Sequence, residues 1–130
     1  MTVDTFANSI AHVAALLANT SGVPNVSMVA AGCAHVYDHE PGASGVLKPC
    51  SVTVSPAGMT PEFWLIRTRV YVTGDLDPKK GQALLIDVMN AVDDLMDAYC
   101  GPSNWESAYI DEIEMFVAGN DLMIGREDMN

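Results

Sequence analysis

The sequence predicts an α+β fold, in which a single domain builds a small antiparallel sheet with two principal helices packed on one face. Residues 4–18 and 78–99 repeat apolar side chains at helical spacing. Residues 62–73 alternate with the two-residue period of a strand that buries one face. The chain has 130 residues, 49% of them apolar, which suits one packed core. Strands collected into one sheet beneath helices define the α+β class.

The first helix, 4–18, places Phe6, Ile10, Val13 and Leu17 on a narrow apolar stripe. Asp4 or Thr2 is its candidate cap, and Gly22 with Pro24 lies beyond its end. Beside the stripe run Ala7, Ala11, Ala14, Ala15 and Ala18, small enough for close backbone approach, so packing on more than one side is expected. Residues 25–31 (NVSMVAA) read as a strand. Residues 32–49 are rich in glycine, proline and small side chains and read as a long loop. Loops of that length in compact domains tend to carry function, so His35, Asp38, His39 and Glu40 are expected on a mobile, partner-binding element.

Residues 50–55 and 62–73 are expected to form a hairpin through the turn-rich PAGMTP. In the second strand Trp64, Ile66, Thr68, Val70 and Val72 share the core face. Phe63, Leu65, Arg67, Arg69 and Tyr71 share the other, which is too apolar for a freely solvated surface. The helix at 78–99 is the strongest expectation. Asp77 caps it, Pro78 occupies the first helical position, and Gly101 with Pro102 stops it. Leu84, Leu85, Val88, Met89, Val92, Leu95, Met96 and Tyr99 form its apolar side, and Asp87, Asn90, Asp93, Asp94 and Asp97 its polar side. Lys79 and Lys80 sit at the positive end of the macrodipole and the aspartates toward the negative end, an unfavourable order. Ile86 falls within the polar arc, so this face is expected to meet something other than water. After Trp105, residues 108–118 read as a strand with Ile113, Met115 and Val117 on one face and Glu112 and Glu114 on the other. AGND then turns into a short apolar piece, LMIG.

Charge excludes one class of function. Seventeen acids against six bases give a net charge of −11, and Arg126 is the only base beyond Lys80. Such a chain gains no affinity by neutralising phosphates, so tight nucleic-acid binding is disfavoured. Acidity of this kind keeps a protein soluble, or lines a surface that DNA passes without sticking. No apolar stretch is long enough to span a bilayer, so no membrane partner is expected. The N-terminus lacks a basic flank and apolar block, so folding in a cytoplasm is expected. Cys33, Cys50 and Cys100 are odd in number and widely spaced, which favours reduced thiols in the core.

No catalytic constellation emerges. Cys33, His35, Asp38, His39 and Glu40 are the nearest approach to a metal site, but two histidines four apart share a metal readily only on a helix. Here glycine and proline argue for a loop, so neither a metal nor another cofactor is expected. GDLDPKKG lacks the glycine spacing that wraps amides around phosphate, and no serine sits in a nucleophile elbow. Carboxylate pairs such as Asp93 with Asp94 and Asp111 with Glu112 arise freely in so acidic a chain. The chain is therefore expected not to be an enzyme.

The order of elements, and above all the run WLIRTRVYVTGDLDPKKGQALLIDVMNAVDDLMDAYCG, resembles the tail terminator or tail-completion proteins of long-tailed bacteriophages. The likeness is one of organisation over most of residues 4–125. An amphipathic helix precedes a small sheet, a strand passes through an acidic proline-containing turn into a long helix, and terminal strands close the sheet. The resemblance implies a structural virion protein at the tail–neck junction, assembled in the host cytoplasm as a ring, usually a hexamer. Such a ring caps the tail tube, ends its polymerisation and offers a head-joining surface to the neck proteins. Genomic DNA passes through its lumen without specific binding. Within that frame Leu65, Arg67, Arg69, Tyr71 and Ile86 are expected at the subunit interface. Glu112 and Glu114 are expected to face the lumen, with Asp87, Asp94 and Asp97 as the alternative. The rivals are a neck or connector protein, a metal-dependent enzyme built on Cys33, His35 and His39, and a small domain with no phage role.

Overall fold

A computed structural model describes residues 6–19, 21–41, 49–96 and 105–125. In chain order the elements are α1 (Phe6–Leu17), α2 (Val26–Ala31), β1 (His35–Tyr37), β2 (Cys50–Met59), β3 (Phe63–Thr73), α3 (Pro78–Met96), β4 (Glu106–Ile110) and β5 (Met115–Gly125). The strands form one five-stranded sheet in the order β1-β2-β3-β5-β4. Every pairing is antiparallel except β1 with β2, which is parallel. The domain is α+β, with α1 and α3 packed on one face of the sheet. None of the described helices is long and apolar enough to cross a membrane.

β3 is the axis of the sheet because its alternation serves two neighbours. It pairs with β2 on one side and along its whole length with β5 on the other. Trp64, Ile66, Val70 and Val72 are buried beneath the helices, as the alternation predicts, together with Val52 and Val54 of β2 and Ala118, Leu122 and Ile124 of β5. From above, α1 contributes Val13 and Leu17, and Phe6 stacks on Trp64 at a ring-centroid distance of 5.0 Å. α3 contributes Leu85, Val88, Val92 and Met96, and its Gly81 lets the helix lie close against Phe116. The cap reads as the sequence predicts: Asp77 Oδ1 accepts from the Lys79 and Lys80 amides at 2.9 and 3.1 Å. Cys33 and Cys50 are buried free thiols, while Thr2, Asp4, Asp97, Tyr99, Cys100, Gly101 and Pro102 lie outside the described residues.

Four expectations fail for identifiable local reasons. Residues 26–31 are helical, not a strand. The Asn25 side chain accepts from the Ser27 amide, and Gly32 ends the helix with φ 108°. The Gly32 amide donates to Val29 O and the Cys33 amide to Met28 O, a Schellman stop that overrides the strand propensity of the valines. The stretch 32–49 is not all loop, because β1 forms within it and takes the sheet edge beside β2. Finally, residues 108–118 are two strands, not one. Residues 111–114 turn back on themselves, Glu114 adopts φ 54°, and its carbonyl accepts from the Gly74 amide at 2.9 Å. The segment AGND, expected to turn, runs inside β5 with Ala118 and Asn120 buried.

Candidate functional site

The face of the sheet away from the helices is where most of the predicted interface residues gather. Register places Thr53 of β2 beside Arg69 of β3, Arg67 beside Asp121 of β5, Tyr71 beside Val117, and Leu65 beside Met123. Side chains at alternate positions share a face, so Leu65, Arg67, Arg69 and Tyr71 form one row, as expected. The row is charge-paired within the chain. Arg67 Nε donates to Asp121 Oδ1 at 2.7 Å and Arg67 Nη2 to Asp121 Oδ2 at 3.1 Å. This two-point contact holds the Asp121 carboxyl below the ordinary carboxylate range and raises Arg67 further.

Glu40 anchors the second cluster. Its Oε1 accepts from the Thr53 hydroxyl at 2.5 Å and lies 3.5 Å from Arg69 Nη1, while its Oε2 accepts from the Tyr71 hydroxyl at 2.9 Å. Tyr71 is only 8% exposed and packs with Met115 and Val117. Burial first, and then the bond to Glu40, raises its phenol above the ordinary tyrosine value, so Tyr71 keeps its proton at neutral pH. A hollow of about 410 Å³ on this face is lined by Arg67, Arg69, Glu106, Gly119 and Asp121.

The remaining candidates are scattered. Glu40 is not a free loop residue, since the sheet holds it through Thr53, Arg69 and Tyr71. Asp38 and His39 are exposed and bond each other at 2.9 Å. His35 belongs to β1 and its ring lies 4.3 Å from that of Tyr37. Cys33 is turned inward, with its Sγ donating to His35 O at 3.3 Å. Its neighbour Cys50 holds its proton far above the ordinary thiol range through its bond to Cys33 and its burial. Among the described residues no three histidine, cysteine or acidic side chains come together as metal ligands. Glu112 and Glu114 are exposed on the 111–114 turn and are not borne by the sheet as expected. Asp87 and Asp94 are exposed on α3, and Ile86 beside them is 54% exposed. Asp93 instead accepts from the Trp105 indole at 2.9 Å, joining α3 to the start of β4.

Sequence reasoning missed Asp121, Thr53 and Glu106. Asp121 is the last residue of AGND, which read as a turn. Reading β5 on through Gly119 would have put Asp121 on the same face as Val117. What the fold and this face define is an α+β domain with an ion-paired outer sheet face. No family model matches the chain, and no curated protein or solved structure is significantly similar to it.

Proposed function

We propose that this chain is a structural virion protein of the tail-terminator kind, acting as a ring rather than as a catalyst. The ring, a hexamer in this reading, caps the tail tube, ends its polymerisation and presents the joining surface to the neck proteins. DNA passes through its lumen. The observation that carries the reading is the path of the chain from Trp64 to Met96. β3 runs through the Gly74–Asp77 turn, capped by the Asp77 side chain, into the long helix α3, and the terminal strand β5 returns along the whole of β3. That is the organisation on which the resemblance rests. The net charge of −11 agrees with it, because an acidic wall repels phosphate and lets DNA slide. The exposed acids of the 111–114 turn, Glu112 and Glu114, or those of α3, Asp87 and Asp94, are the candidates for that wall.

The test is light scattering across protein concentration, followed by negative-stain imaging of the protein alone and mixed with isolated tail tubes. Rings with a central hole, seated at tube ends, are expected. A chain that stays monomeric at high concentration and leaves tube ends bare refutes the proposal. Rings that bind portal or adaptor and ignore tubes make it a neck protein instead.

A further inference from the structure

Two buried thiols meet where the edge strand β1 joins the sheet. Cys33 lies between the end of α2 and the start of β1, and its backbone is held on both sides. Its own amide donates to Met28 O at 3.0 Å, and the Ala34 amide donates to Cys50 O at 2.7 Å. Cys50 opens β2 and pairs there with Val72 of β3. The register that sets His35 beside Ser51 therefore brings the two cysteines together at the head of the parallel pair β1–β2. Their thiols hydrogen-bond each other, and Cys33 Sγ also donates to His35 O at 3.3 Å. Both belong to the core, with Cys33 5% exposed and Cys50 fully buried. The strand they adjoin is short, since β1 has three residues and stands at the sheet edge.

We propose that Cys33 and Cys50 are a redox pair, which a small-molecule disulfide such as oxidised glutathione converts into an internal disulfide that locks β1 and the end of α2 to β2. Nothing in this depends on the ring. A disulfide asks for Cα atoms about 4.4–6.8 Å apart. Adjacent strands lie about 4.8 Å apart and the two sulfurs already touch, so closure asks for little backbone movement. Cys33 is the entry sulfur, because it keeps some surface at the sheet edge while Cys50 has none. The bond it receives from the Cys50 thiol also favours its thiolate, the attacking form. Local opening of a three-residue edge strand admits the reagent. The Cys33 thiolate attacks one sulfur of glutathione disulfide, whose S–S bond breaks, and one glutathione leaves. Cys50 then gives up its proton and attacks the Cys33 sulfur of the mixed disulfide, and the second glutathione leaves. Two protein thiols are oxidised, one glutathione disulfide is reduced to two thiols, and the two protein protons end on those thiols. A reducing compartment holds the pair open, and an oxidising one closes it.

The test uses the folded wild-type protein, purified under dithiothreitol, freed of it and incubated at neutral pH with oxidised glutathione. The protein is then unfolded and alkylated. Mass spectrometry should count three alkylated cysteines before treatment and one after, on a single chain with no glutathione attached. Peptide mapping should join Cys33 to Cys50 and leave Cys100 as the free thiol. Closing a loop of this length is expected to raise the melting temperature by about 10 °C, and dithiothreitol should reverse the rise. Three free thiols after treatment, a glutathione that stays attached, a bridge through Cys100 or a bridge between chains would each overturn the proposal. So would a Cys33–Cys50 disulfide that leaves the melting temperature unchanged, because the bond then locks nothing.

Discussion

Replacing Glu40 by alanine tests whether this residue belongs to a mobile loop or to the sheet. The side chain accepts hydroxyl bonds from Thr53, which is fully buried, and Tyr71, which is 8% exposed, and it faces Arg69. Its removal leaves two buried donors without this acceptor, each costing about 1–3 kcal/mol when unsatisfied. Rotation of the Thr53 hydroxyl and hydration of the half-exposed Arg69 recover part of that, so a net loss of about 2–3 kcal/mol is expected. For a domain of this size that lowers the melting temperature by about 8–12 °C. Glu40→Gln keeps one carbonyl acceptor and should lose only about 1 kcal/mol. Tyr71→Phe combined with Glu40→Ala should cost less than the sum of the two alone, because both remove the same bond. The measurement is thermal and urea unfolding followed by circular dichroism. A Glu40→Ala protein that melts within about 1 °C of wild type would refute the reasoning and return Glu40 to a free loop.

Further outcomes follow from other contacts. Tyr71 has a folded pKa above its unfolded value, so its contribution to stability is complete below about pH 10 and is lost as pH rises beyond it. Urea midpoints should fall as pH rises beyond that value, and the fall should be smaller in Glu40→Gln, which removes the carboxylate that helps to raise Tyr71. Asp121 has the opposite sign: its folded pKa is depressed, so its contribution holds above about pH 4 and fades below it, and Arg67→Met should flatten that acid limb. Gly32→Ala places a methyl group at φ 108° and against Leu84, and should cost about 2 kcal/mol in urea unfolding, whereas a neutral result would remove the Schellman stop. Asp93→Ala removes the acceptor of the Trp105 indole; a loss of about 1 kcal/mol with a red-shifted tryptophan emission is expected, and unchanged emission would argue against the contact.

The parts of the fold legible in the sequence are those where periodicity, caps and punctuation agree. β3 and α3 have all three, and both stand close to where the alternation, Asp77 and Pro78 put them. Residues 26–31 mislead because valine and alanine favour different structures and six residues are too few for periodicity to choose; the two ends decide, through Asn25 and Gly32. The break at 111–114 is invisible because Asp-Glu-Ile-Glu carries no glycine or proline, and the turn instead places Glu114 in the left-handed region. The open face was half legible. Alternation finds Arg67 and Arg69, but their partners come from positions 121 and 40, a distance in sequence that no local pattern spans.

Those internal partners change what would hold neighbouring copies together in the proposed ring. Arg67 and Arg69 were expected at the subunit interface, yet Asp121 and Glu40 of the same chain already occupy them. The cations left to oppose a neighbour's acids are few in a chain of −11, so copies repel at long range and the proposed ring would have to form through apolar and neutral polar contacts. Salt then discriminates between the two kinds of interface. Screening reaches a Debye length of about 10 Å at 0.1 M, which quiets the repulsion while leaving apolar burial intact. Assembly should therefore begin at lower protein concentration as sodium chloride rises from about 0.01 to 0.15 M, followed by light scattering at pH 7.5. An interface built on arginine–carboxylate pairs between copies responds the other way and loosens with salt. Rings that dissociate over that range would show that Arg67 or Arg69 exchanges its internal partner for one on the neighbour, and Asp121→Asn would then strengthen assembly rather than leave it unchanged.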